Sequence, residues 1–196
     1  MLTITDLFDL DHTIAKDYLA QFTYPWEALA GIKDFILSVG PTLEDYDEVS
    51  PQVWVHKTAT VAPTAFLGGP CIIGPETEVR HCAFIRGSAL VGAGCVVGNS
   101  VELKNVILFD GVQTPHYNYV GDSILGYKSH MGAGSITSNV KSDKLPVIVR
   151  CGDERIDTGR KKVGAMLGDF VEVGCNSVLN PGSVIGRHSI IYPTSC

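Results

Sequence analysis

Residues 113–139 read QTPHYNYVGDSILGYKSHMGAGSITSN, and the side chain in that run best suited to moving a proton is His116. An imidazole titrates near neutral pH and can take a proton from a reacting group. The competing role for it is a hydrogen bond at a protein contact, and the glycines that follow suit a strand-and-turn scaffold as well as an active site. Two cations lie upstream, Arg86 and Lys104. A planar fork of donors beside a point charge suits a phosphate dianion, although either cation alone would serve as a solvated surface charge. The cysteines at 71, 82, 95, 151, 175 and 196 have no CxxC spacing, and the start MLTITDLFDLDHT has no secretory character. They are expected to be reduced thiols, chiefly small core residues. The histidines at 12, 56, 81, 116, 130 and 188 lack the paired spacing of a metal set, so no metal is expected.

These residues need a frame, and the sequence supplies one from residue 55. Val55, Val61, Leu67, Ile73, Val79, Ile85, Val91, Val97 and Leu103 recur every six residues with Phe109 next in step, and the pattern resumes at Leu167, Val173, Leu179, Ile185 and Ile191. A mostly small column stands four residues after each: Ala59, Ala65, Cys71, Thr77, Ala83, Ala89, Cys95, Val101 and Ile107. Neither the helical period nor plain strand alternation generates a repeat of six, whereas short strands separated by turns and wound into stacked coils do. Residues 53–196 resemble the hexapeptide-repeat left-handed parallel β-helix. The fold class expected is therefore all-β, a single-stranded left-handed β-helix with a short N-terminal α-helical cap and an inserted hairpin arm.

Residues 1–50 differ in kind. AKDYLAQF and PWEALAGIKDFILSVG carry apolar residues at helical spacing, with Pro25 placed to open a helix and Gly40-Pro41 to close it. This stretch holds 10 acidic and 2 basic side chains against 11 and 13 in the remainder, for a net charge of −6. We expect residues 1–50 to form an acidic helical cap and linker over the first coil, and residues 51–196 to form the β-helix domain. The slightly positive body is open to phosphorylated ligands but has no dense basic stripe for a nucleic-acid duplex. No apolar run approaches the roughly 20 residues of a membrane helix, so a cytoplasmic protein without a membrane partner is expected.

The repeat breaks twice. Val120-Gly121 and Leu125-Gly126 stand one residue too close, and residues 140–162, VKSDKLPVIVRCGDERIDTGRKK, contain no hexad. VIVR, a turn at CGDE and then RIDT read as a hairpin arm projecting from the coil. Repeats break where something other than stacking constrains the chain.

Around these breaks, VGNSVELK (97–104), PHYNYVGDSILG (115–126) and HMGAGSITSN (130–139) resemble the acetyltransferase domain of the bifunctional pyrophosphorylase and glucosamine-1-phosphate N-acetyltransferase family. RIDTGRKKVGAMLGDFVEVGCNSVLNPGSVIG (155–186) is similar to the β-helix domain that follows the catalytic domain in sugar-phosphate nucleotidyltransferases. The resemblance implies a homotrimer with active sites between neighbouring prisms and acetyl-CoA as acyl donor. It implies that His116 takes a proton from the substrate ammonium, and that Arg86, Lys104 and Tyr119 contact the phosphate of an amino-sugar phosphate. His130 and Asn139 are implied near the substrate and acyl group, and Ala133 and Cys175 along the pantetheine arm. Arg187, with Arg160, Lys161 and Lys162, is a candidate for the phosphates of coenzyme A.

Three features depart from the resembled pattern. The family commonly has asparagine where His130 stands, and its Asn-Tyr pair becomes Asn139-Val140, which removes a hydroxyl. The sequence ends at Cys196 without the C-terminal extension that helps hold coenzyme A, a point against full activity. Residues 1–50 are too few for the nucleotidyltransferase domain, so a stand-alone acetyltransferase is the leading expectation. A non-catalytic oligomerisation or regulatory subunit that docks a separate nucleotidyltransferase is the alternative.

Overall fold

A computed structural model describes residues 2–196. Each hexad contributes one short strand, and every third strand stacks in parallel on the same face of a triangular coil. Face A carries Val53–His56, Cys71–Ile73, Ala89–Val91, the second halves of Glu102–Leu108 and Tyr119–Leu125, then Ala165–Leu167 and Ser183–Ile185. Face B carries Thr60–Val61, Glu78–Val79, Val96–Asn99, Gln113–His116, His130–Met131, Glu172–Val173 and Ile190–Ile191. Face C carries Phe66–Leu67, Phe84–Ile85, the first halves of the two long strands, Ile136–Thr137 and Val178–Leu179. Side chains alternate along a strand, so the small and large columns both face inward. Cys71, Thr77, Ala83, Ala89 and Cys95 are all buried beside Ile73, Val79, Ile85 and Val91.

The coil shortens twice at the corner between faces C and A. Ala89 pairs with Val106, and Val106 with Ser123, 17 residues on, where a regular coil such as Cys71 to Ala89 takes 18. Here the strands Glu102–Leu108 and Tyr119–Leu125 run through the corner unbroken, with Asn105 (φ 54°) and Asp122 (φ 48°) in the left-handed region. The second shortening is the one read from Val120-Gly121 and Leu125-Gly126. The first is a correction: Val106 and Leu108 occupy the inward ladder, and not Ile107 and Phe109. The run VILF is apolar throughout and satisfies either register, so hydrophobic periodicity alone could not place the lost residue.

Faces B and C bring polar or mixed residues outward, but the outward column of face A runs Trp54, Ile72, Leu90, Ile107, Ile124 and Met166, all buried, and ends at the half-buried Val184. The N-terminal segment covers it. This segment contains α-helices Ile4–Leu7, Lys16–Leu19 and Ile32–Val39 and 3-10 helices at Leu10–His12, Pro25–Ala30 and Gly40–Thr42. It reaches the first coil as expected of a cap, where the strand Tyr46–Ser50 pairs antiparallel with Val53–His56 and Gly40 lies against the Trp54 ring. It also runs along face A as a strap. The Asp169 N–H donates to Leu7 O at 3.0 Å, the Asp110 N–H to His12 O at 3.0 Å, and Asn105 Nδ2 to Leu29 O at 3.1 Å. The Phe8 and Phe109 rings pack at 5.0 Å. The strap buries Leu7, Leu19, Trp26, Leu29, Ile32 and Ile36 in return, each such side chain worth roughly 1.5–3 kcal/mol. Pro25 opens a helix as expected, the 3-10 helix Pro25–Ala30, and the α-helix Ile32–Val39 follows Gly31 and is closed by Gly40.

Met166, the ladder partner of Ile124, lies 42 positions on, and the excess over one coil forms the arm. Ile148–Cys151 and Glu154–Asp157 pair antiparallel around Gly152 and Asp153, at the expected place. The base of the arm folds onto the coil, because Val147 and Val149 are buried and Val147 lies against Gly182. All six cysteines are unpaired, but only Cys71 and Cys95 are core residues, and burial pushes both thiols up to about 12. Cys82, Cys151, Cys175 and Cys196 are exposed, at corners, the arm and the last coil, where the inward columns do not reach. Among the described residues no helix is long and apolar enough to cross a membrane.

Candidate functional site

The two shortened coils pull a set of polar side chains onto the C/A corner. Asp122 sits at the second tight bend, nearly buried. Its carboxylate accepts from Lys104 Nζ at 3.1 Å, Asn105 Nδ2 at 2.9 Å and Asn139 Nδ2 at 2.6 Å. Asn139 Nδ2 also lies 3.2 Å from the Tyr119 hydroxyl. Burial, helped by the Asp122 and Glu102 carboxylates, pushes the Tyr119 phenol above its ordinary value, so it stays a neutral hydroxyl. Arg86 pairs with Glu102 at 2.8 Å, and both side chains are open to solvent. Such an exposed pair is weak and leaves the guanidinium exchangeable toward a better anion. A cavity of about 440 Å³ opens beside this cluster, lined by Lys33, Arg86, Lys104, Asn105, Asp122 and Arg160 among others.

Four of the residues singled out in the sequence, Arg86, Lys104, Tyr119 and Asn139, are thus brought together. His116 is not among them. It ends the strand Gln113–His116 on face B at the corner leading into face C, with an exposed side chain. Its N–H donates to Asn118 Oδ1 at 3.2 Å and its carbonyl accepts from the Gly134 N–H at 3.1 Å. The buried Asn118 fixes this corner by donating to Gly132 O and Ser135 O at 2.9 and 3.1 Å. Ala133 and Cys175 belong to the same corner in later coils, where the Ala133 carbonyl accepts from Asn176 and that of Cys175 from Thr194. Face C therefore has His116, Ala133 and Cys175 along one edge and the cation cluster along the other.

Two expected residues lie elsewhere. His130 faces outward on face B, where its ladder neighbours are Gln113 in the preceding coil and Glu172 in the following one, and its Nδ1 lies 2.9 Å from Glu172 Oε2. Arg187 stands at the A/B corner on the buried Asp169, at 3.2 Å, apart from Ala133 and Cys175. Arg160, grouped in the sequence with the coenzyme A candidates, lines the cavity of Arg86 and Lys104 instead. Sequence reasoning missed Asp122, Asn105, Glu102 and Lys33. A signal existed for two of them: Asx residues tolerate left-handed backbone, and Asn105 and Asp122 stand one short coil apart where the hexad count fails. Nothing local marked Lys33, which arrives by way of the strap.

The fold and the polar corners define a hexapeptide-repeat left-handed β-helix. Residues 67–190 match the family described as the GMPPB C-terminal domain, and the chain belongs to that family. It is 33% identical over 180 residues to the bifunctional protein GlmU of Methanococcus maripaludis, a match covering 90% of this chain and 44% of that protein. It is 38% identical over 90 residues to a bifunctional sugar-1-phosphate nucleotidylyltransferase/acetyltransferase of Sulfurisphaera tokodaii, covering 46% of this chain and 22% of that one. The chain thus spans less than half the length of these curated relatives. Among solved structures, a hexapeptide transferase family protein from Anaplasma phagocytophilum shares the fold, with a TM-score of 0.55 at 17% identity over 70% of this chain and 72% of that one.

Proposed function

We propose that the chain is an acyl-CoA-dependent N-acetyltransferase acting on an amino-sugar phosphate, and that it works as a homotrimer with its sites between neighbouring prisms. The observation that carries this reading is the C/A corner, where Arg86, Lys104, Tyr119 and Asn139 gather beside a cavity large enough for a sugar phosphate. The match to a bifunctional sugar-1-phosphate nucleotidylyltransferase/acetyltransferase supports the same class. Acetyl-CoA supplies a thioester. His116 takes the proton from the substrate ammonium, so that the amine nitrogen bonds to the acetyl carbon as the carbon–sulfur bond breaks. The imidazolium returns that proton to the departing thiolate, and the second proton, released from the nitrogen as the amide forms, passes to water. Arg86 and Lys104 hold the phosphate, the neutral Tyr119 hydroxyl and Asn139 orient the sugar, and N–H groups of the Gly132–Gly134 turn face the developing oxyanion. Within one chain His116 stands a face-width from the cluster, which favours a site completed by a neighbouring subunit.

Val140, 41% exposed where the resembled acetyltransferases carry a tyrosine, favours a second reading. In it the β-helix is a non-catalytic subunit that docks a separate nucleotidyltransferase. Thiol release from acetyl-CoA, with glucosamine 1-phosphate and other amino-sugar phosphates as acceptors and His116→Ala as control, separates the two. Acceptor-dependent release that disappears in the variant is expected. No release with any acceptor from a folded protein would favour the docking subunit.

A further inference from the structure

The cavity at the C/A corner draws its cations from three separate parts of the chain. Arg86 and Lys104 come from the coil, Lys33 from the strap helix Ile32–Val39, and Arg160 from the return of the arm. Of the two coil cations, Arg86 is paired with Glu102 and Lys104 with Asp122. Among the described residues neither Lys33 nor Arg160 forms an ion pair. The Arg160 Nε is also buried without a hydrogen-bond partner, a costly state for a charged group unless something else completes it. Asp122 is the one carboxylate in the lining, and its acceptors are already occupied by Lys104, Asn105 and Asn139. The cavity therefore has four cations facing one carboxylate, and its two uncompensated charges lie on the strap and the arm.

We propose that Lys33 and Arg160 bind the phosphate group of the ligand held at this corner, and that the ligand fastens the strap to the arm. This rests on the reading of the cavity as a sugar-phosphate site, and it adds two binding residues, one of them supplied by the N-terminal segment. The phosphate enters between an unpaired ammonium and an unpaired guanidinium fork, an arrangement that satisfies the orphaned Arg160 and does not require breaking the Lys104–Asp122 pair.

Titration calorimetry on the whole chain with glucosamine 1-phosphate tests this without reference to acetyl transfer. Lys33→Gln and Arg160→Gln should each weaken binding about tenfold or more, as loss of a charged hydrogen bond implies. Lys33→Arg should retain it, and Lys128→Gln, at the A/B corner, should leave it unchanged. Unfolding midpoints of the variants guard against loss of fold. Slower amide exchange in residues 29–33 and 158–162 on ligand addition should accompany binding. A parallel titration with a nucleoside diphosphate sugar distinguishes a diphosphate ligand from a monoester, and dependence on the same two residues supports the inference in either case. Wild-type affinity in both Gln variants would overturn it, whether or not acetyl transfer is found. Conversely, binding that needs both residues without transfer would leave it standing while removing the acetyltransferase reading.

Discussion

Asp122 organises the corner on which the proposed function depends. Its three donors come from Lys104, Asn105 and Asn139, so replacing it strips partners from a lysine and two amides at once. Asp122→Ala should cost about 1–3 kcal/mol in a urea titration and weaken binding of a sugar phosphate by misplacing Lys104 and Asn139. A second carboxylate, Asp110, reports on burial. Its pKa is raised from the ordinary 3.8 by desolvation, which outweighs the Ala93 N–H it accepts. The charged form is the one disfavoured in the folded chain. Its stabilising contribution is thus full below 3.8 and is lost as pH rises through the raised folded value. Asp110→Asn keeps an oxygen for the Ala93 N–H and should lack that fall. Urea midpoints compared across this range should shift in favour of the variant as pH rises. At this scale the sequence disclosed the cations and His116 by type, but Glu102 and Asp122 acquire meaning only from partners 16 and 18 residues away.

Among the elements, the strap and the coil corners bear most of the weight. Ile36, fully buried in the strap helix, should cost about 2–5 kcal/mol when cut to Ala, and limited proteolysis should then release the N-terminal segment before the coil. Gly98 sits so close to the next coil that a Cβ there would lie 1.6 Å from Pro115 O. Gly98→Ala should therefore prevent stable stacking, seen as loss of the cooperative thermal transition. Gly94, with open space around it at φ +60°, should tolerate the same change with a small strain penalty. The hexads were legible because an inward column repeats at a fixed interval whatever the tertiary context, and the hairpin because VIVR and RIDT flank a turn. The strap's path was not. Helical spacing marks an apolar face without naming what that face covers. The complementary signal lay in every third hexad, where CII, ALV and AML put an apolar residue at the outward position.

For the whole molecule, the two edges of face C set the question. His116, Ala133 and Cys175 occupy one edge and the cation cluster the other, a division that suits the proposed base and the proposed substrate clamp being contributed by different subunits. The proposed trimer should appear in light scattering as a particle of three times the mass of one chain. The most direct measurement is complementation between two inactive variants. His116→Ala and Lys104→Ala are each expected to lose acceptor-dependent thiol release from acetyl-CoA. Co-assembled into mixed trimers, they should recover part of the wild-type rate, because an interface can then join an intact His116 to an intact Lys104 cluster. Mixed trimers of verified composition that recover nothing would contradict a site shared between prisms.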